Sequence, residues 1–137
     1  METVAISRCR ILVVDDYEPF LGSLCLLLKR HYPNIFPVNS FSAARERIRE
    51  EAFSLVLSDI DLGDGSGIDL IGYVKGLPEP PKLLFITGRP DYAQDPRLKH
   101  QTVLLKPISA EALLDIIGQT LSDQPDAPKP PQPEVNC

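Results

Sequence analysis

An α/β domain built on a doubly wound parallel sheet is the fold this sequence predicts, and three observations predict it. Apolar runs of strand length alternate with segments of helical period, the signature of repeated βα units. Two of those runs, residues 53–59 and 82–86, are dense in apolar residues, as central strands buried on both faces are. Polar, chemistry-bearing residues stand just past the ends of successive runs. Asp15 and Asp16 follow Ile11-Leu12-Val13-Val14, Asp59 follows Leu55-Val56-Leu57-Ser58, Thr87 follows Leu83-Leu84-Phe85-Ile86, and Lys106-Pro107 follows Val103-Leu104-Leu105. In an open parallel sheet, residues beyond the carboxyl ends of the strands share one crevice.

The elements follow in order. A first strand covers residues 10–14. A first helix opens near Pro19, a residue favoured in a first turn, places Phe20, Leu21, Leu24, Leu27 and Leu28 on one face, and stops before Pro33. The second strand, 35–38, contains Pro37 and belongs at a sheet edge. A second helix runs over 42–51 with Ser40 or Ser42 as its cap. The third strand, 53–59, is followed by a flexible loop at 63–67 and a third helix over 68–76, ended by Pro78, Pro80 and Pro81. The fourth strand covers 82–86 and the fifth 102–105. A last helix begins after Ser109 and repeats Leu113, Ile116, Ile117, Thr120 and Leu121 at helical spacing.

Composition narrows the function classes. The 137 residues suit one domain, with 1–121 ordered and a Pro-rich tail at 122–137 expected to be disordered. A net charge of −5, without any Lys/Arg run, argues against direct nucleic-acid binding. The first nine residues lack the apolar core of a signal peptide, and no stretch approaches the ~18 apolar residues of a membrane span, so a cytoplasmic location is expected. Cys9, Cys25 and Cys137 have no metal-type spacing and read as reduced structural thiols.

Convergence of Asp15, Asp16 and Asp59 is itself informative. Like charges about 4 Å apart repel by roughly 4 kcal/mol at an effective dielectric near 20, so these carboxylates require a cation or must take up protons. Taken singly, Asp15 or Asp16 reads equally well as a helix cap, Asp64 and Asp69 as a loop acid and a first-turn acid, and His31 and His100 as surface histidines. With Lys106 and Thr87 beside them, the three acids read as a metal-dependent site.

Four motifs in order make that reading specific. Val13-Val14-Asp15-Asp16, Leu57-Ser58-Asp59-Ile60-Asp61-Leu62 with Gly67 further on, Phe85-Ile86-Thr87-Gly88 and Leu105-Lys106-Pro107 together resemble a response regulator receiver domain over about residues 9–121. The resemblance implies a flavodoxin-like (βα)5 domain of strand order 2-1-3-4-5. It would accept a phosphoryl group from a phosphohistidine on a sensor histidine kinase or a histidine phosphotransfer protein. It implies that Asp59 is the acceptor, that Asp16, Asp59 and the backbone carbonyl of Asp61 bind Mg²⁺ directly, and that Asp15 holds the metal through water. Lys106 then supplies the opposing cation, Thr87 the switch hydroxyl, Gly88 the space beside it, and Pro107 follows a cis peptide. A hard cation with oxygen ligands suits both the acids and a phosphoryl group.

Three departures bear on output. Gly63 stands where the family usually carries proline and is expected to loosen its loop. Val103 replaces the Tyr or Phe that swings inward on activation. The segment from Thr87 to Lys106 is short and contains Pro90 and Pro96, so a short, irregular or missing fourth helix is expected. The resulting expectation is a stand-alone receiver that signals through an unknown output partner or acts as a phosphate shuttle or sink, itself no enzyme beyond its own phosphorylation and dephosphorylation. The alternatives are a degenerate receiver that binds a partner without phosphorylation and, last, a phosphatase of the haloacid dehalogenase type, suggested by Asp59-Ile60-Asp61.

Overall fold

The computed structural model describes residues 8–122; most of the expected tail lies outside them. The strands are β1 (Arg10–Val14), β2 (Asn34–Val38), β3 (Leu55–Asp59), β4 (Asp61–Leu62), β5 (Gly65–Ser66), β6 (Lys82–Thr87) and β7 (Thr102–Leu105). The helices are α1 (Glu18–Lys29), α2 (Phe41–Glu50), α3 (Leu70–Lys75) and α4 (Ala110–Ser122). Five strands form one sheet in the order β2-β1-β3-β6-β7, with every pair parallel. This is the expected 2-1-3-4-5 arrangement, the small β4–β5 hairpin standing apart from the main sheet.

Strand alternation divides the core into faces. Ile11, Val13, Leu55, Leu57, Leu84, Ile86 and Leu104 point to one side, where α1 and α4 cover them with Leu21, Leu24, Leu28, Leu113, Ile117 and Leu121. Leu12, Val14 and Val56 point to the other, against Ala44 and Ile48 of α2 and Leu70 and Val74 of α3. A third cluster of Ile60, Ile68, Phe85 and Leu98 fills the remaining space beside β6 and β7. Each fully buried Leu or Ile contributes about 1.5–3 kcal/mol. Helix placement on both faces is therefore dictated by the period-2 pattern of the central strands.

Local chemistry sets the helix ends. Pro19 sits in the first turn of α1, and the Ser40 side chain accepts a 3.1 Å hydrogen bond from the Ala43 N–H, so Ser40 rather than Ser42 caps α2. Asp64, expected to be a solvated loop acid, accepts from the Phe41 and Ser42 N–H groups at 2.7 and 3.0 Å and joins that cap. The flexible loop expected at 63–67 is instead largely taken up by the β4–β5 hairpin, because Asp61 and Leu62 pair antiparallel with Ser66 and Gly65. No α-helix separates β6 from β7: two 3₁₀ turns, Pro90–Gln94 and Pro96–Leu98, replace it, each opened by a proline. The irregular fourth segment is as the prolines predict. Cys25 is a free, buried thiol, whereas Cys9 is disulfide-bonded, contrary to the expectation of reduced cysteines. Among the described residues no helix is long and apolar enough to cross a membrane.

Candidate functional site at the carboxyl ends of the strands

The sheet order reverses between β1 and β3, and the acids converge at that point. Val14 is in register with Ser58, Asp59 with Ile86, and Thr87 with Leu105, so the residues ending or following four strands lie at one level. One carboxylate oxygen from each of Asp15, Asp16 and Asp59 falls within 4.8 Å of the others. Asp15 and Asp59 are buried, at 1% and 8% exposure, while Asp16 is exposed at the rim.

Each buried carboxylate is held by both oxygens. Asp15 Oδ1 accepts the Tyr17 N–H at 2.8 Å, so this acid does act at the start of α1, but its Oδ2 accepts from Lys106 Nζ at 3.1 Å. Asp59 Oδ1 accepts the Ile60 N–H at 2.7 Å and its Oδ2 accepts from Lys106 Nζ at 3.0 Å. The Lys106 ammonium therefore bridges the two acids, and it also stands 4.3 Å from the centre of the Phe20 ring. Phe20 was legible in the sequence only as a core residue of the first helix. The Lys106 N–H donates to the Thr87 carbonyl at 2.7 Å, which anchors the lysine to the neighbouring strand, and the Lys106–Pro107 peptide is cis.

Protonation follows from burial and charge. Burial pushes the Asp59 carboxyl above its usual range; the Lys106 hydrogen bond and charge oppose this, the Asp15 charge adds to it, and the net is upward. For Lys106 burial acts downward, but hydrogen bonds and charges from Asp59 and Asp15 outweigh it and leave the ammonium above its ordinary value. The two acids and the lysine thus share limited positive charge in a partly desolvated place. Their donor set is hard oxygen, suited to Mg²⁺ rather than to a thiophilic metal.

The glycines around the acids are close-fitted. A Cβ on Gly67 would lie 2.3 Å from the Asp59 carbonyl oxygen, and the Gly67 N–H donates to the Ile60 carbonyl at 2.7 Å. Gly63, expected to loosen its loop, makes one tie to the acids. Its N–H donates to Asp16 Oδ2 at 2.9 Å, a bond that a proline in that place could not make.

Thr87 is 1% exposed and its hydroxyl oxygen accepts the Arg89 N–H at 3.1 Å. A Cβ on Gly88 would meet nothing within 4 Å, so the space beside Thr87 is open. Val103 is half-buried and packs with the third cluster rather than reaching the acids. The Asp61 side chain is turned to the rim, where it accepts from the Tyr92 hydroxyl at 2.6 Å and pairs with Arg89 at 3.5 Å. Tyr92 and Arg89 carried no signal in the sequence, because nothing in one dimension brings residues 61 and 92 together. A depression of about 560 Å³ between α1 and β2, lined by Leu21, Cys25, Leu26, Pro37 and Val38, includes none of the three acids.

Comparison with known proteins agrees with this geometry. The family described as the response regulator receiver domain matches residues 11–118. The response regulator receiver protein CpdR of Brucella abortus is 30% identical over 82% of this chain and 96% of its own length. The response regulator protein FleR of Pseudomonas aeruginosa is 33% identical over 87% of this chain but only 27% of its own length. The chain spans less than half the length of several such relatives. Among solved structures, the response regulator TrrA of Thermotoga maritima, in complex with Mg²⁺ and beryllofluoride, superposes with a TM-score of 0.73 at 22% identity, covering 82% of this chain and 99% of that one. Sheet order, family match and relatives coincide, and the chain belongs to the response regulator receiver domain family of two-component signalling.

Proposed function

We propose that the domain accepts a phosphoryl group on Asp59 from the phosphohistidine of a sensor histidine kinase or a histidine phosphotransfer protein. The observation that carries this reading is the Lys106 ammonium bridging Asp59 and Asp15 at 3.0 and 3.1 Å, with Asp16 within reach on the open side. An Asp59 carboxylate oxygen attacks phosphorus, the P–N bond to the histidine breaks, and its electron pair stays on the imidazole nitrogen. Asp16, Asp59 and the Asp61 backbone carbonyl would hold Mg²⁺, with Asp15 reaching it through water; the metal would neutralise phosphoryl charge. Lys106 balances the same charge from the opposite side, and the Thr87 hydroxyl donates to a phosphoryl oxygen. Output then passes to a partner protein or a further phosphotransfer step.

Val103 and the 3₁₀ segment favour a second reading, a partner-binding module that works without phosphorylation. One experiment separates the two. Incubation with a small acyl phosphate and Mg²⁺ should add one phosphoryl mass, lost in Asp59→Asn. No added mass, or label on another residue, would overturn the first reading and leave the second.

A further inference from the structure

The segment that replaces the fourth helix is fastened to the acidic loop by a small set of contacts. The Tyr92 hydroxyl donates to Asp61 Oδ1 at 2.6 Å, and Arg89 Nη1 pairs with the same oxygen at 3.5 Å. The Arg89 guanidinium also lies 4.8 Å from the Tyr92 ring centre and 3.0 Å from Asp91. Through its backbone N–H, Arg89 donates to the Thr87 hydroxyl oxygen at 3.1 Å. The half-buried Tyr92 ring packs on the third core cluster, the same cluster that receives Val103.

From this geometry we infer that Asp61, Tyr92 and Arg89 form a latch over the 3₁₀ segment, and that Tyr92 rather than any residue of β7 is the aromatic reporter of the phosphorylated state. The inference rests on phosphorylation at Asp59 and concerns how that event is read. The Thr87 hydroxyl can donate and accept at once, but turning toward a phosphoryl oxygen carries its oxygen away from the Arg89 N–H, so the 3.1 Å contact lengthens. Arg89 meanwhile faces a new choice of anion. Its contact to Asp61 is long, its side chain is 57% exposed, and a phosphoryl group two residues from Asp61 competes for the guanidinium as a doubly charged oxygen cluster. With Arg89 withdrawn, the phenol–carboxylate bond remains alone at an exposed rim, where water competes with it. The 3₁₀ turns, which hold no regular helical ladder, then open at residues 89–98. Val103 cannot serve in this role, because a valine has no ring to relocate and no hydroxyl to release.

Amide hydrogen exchange on the whole chain, with Mg²⁺ and beryllium fluoride as the phosphoryl mimic, tests the latch. In the unsubstituted protein the mimic should slow exchange at the Ile60 amide and speed it about fivefold across residues 89–98. Tyr92→Phe, which keeps the ring and removes only the hydroxyl, should show that faster exchange before the mimic is added and little further change after it. A response at Ile60 with unchanged exchange across 89–98 would overturn the latch and spare the phosphorylation reading. Tyr92→Phe exchanging like the unsubstituted protein without the mimic would also overturn it. No response at Ile60 would overturn both.

Discussion

Replacing Lys106 with methionine isolates the cost of gathering the acids. The substitution keeps an unbranched chain against Phe20 but removes the ammonium, leaving Asp15 Oδ2 and Asp59 Oδ2 without the donor each now has at 3.1 and 3.0 Å. Each contact is worth about 5 kcal/mol of gross attraction at an effective dielectric near 20. Most of that is cancelled by desolvation of the ions, and breaking a buried pair from one side costs about 3–5 kcal/mol. The Lys106 side chain is 23% exposed, so water replaces part of what is lost, and a net loss of about 2–3 kcal/mol is expected. For a domain of this size that lowers the melting temperature by about 8–12 °C.

The pH dependence has a definite sign. Burial raises the Asp59 carboxyl above its unfolded value, so the folded state holds the proton to higher pH, and stability falls as pH rises through that window. Without Lys106 the folded value rises further, and the gap between variant and parent, largest at neutral pH, narrows as pH falls toward about 4. On the alkaline side Lys106 itself is raised, so its contribution is full from above the acid window up to the ordinary lysine value of 10.5 and is lost again as pH rises through the folded value. Urea denaturation across this range, in low salt and without divalent cations, provides the measurement. A loss under about 0.5 kcal/mol at neutral pH, or one of constant size down to about pH 4, would refute the reasoning.

Three further outcomes are expected. Magnesium at about ten times its dissociation constant should stabilise the protein by roughly 1.4 kcal/mol, and Asp16→Asn should remove most of that gain; a flat thermal titration would count against the metal site. Gly63→Pro deletes the N–H that holds Asp16 Oδ2 and should weaken magnesium binding about tenfold by calorimetry, whereas equal affinity would show that the bond has no part in positioning the ligand. Gly67→Ala forces a Cβ to within 2.3 Å of the Asp59 carbonyl on a fully buried strand and should cost about 1–3 kcal/mol in denaturant, with magnesium stabilisation reduced as well; an unchanged denaturation midpoint would mean that the turn opening at Gly67 yields freely.

Apolar patterning alone specifies the sheet and the level at which the acids stand. Apolar runs at 11–14, 55–57 and 83–86 can be satisfied only by burial on both faces, and strands so buried place whatever follows them at one end of the sheet. Asp15, Asp16, Asp59, Thr87 and Lys106 were therefore legible without coordinates, as was the loss of a regular fourth helix, since Pro90 and Pro96 remove backbone donors where a helix needs them. Contacts between segments remote in the chain came only with the folded arrangement. Gly63 became a hydrogen-bond donor to Asp16, Asp64 became a cap for α2, residues 61–66 closed into a hairpin, and Phe20 came to lie against Lys106. Tyr92 reached Asp61 for the same reason: periodicity reports which face of an element is buried, whereas pairing between polar groups at the ends of different strands is fixed only when the sheet sets those ends side by side.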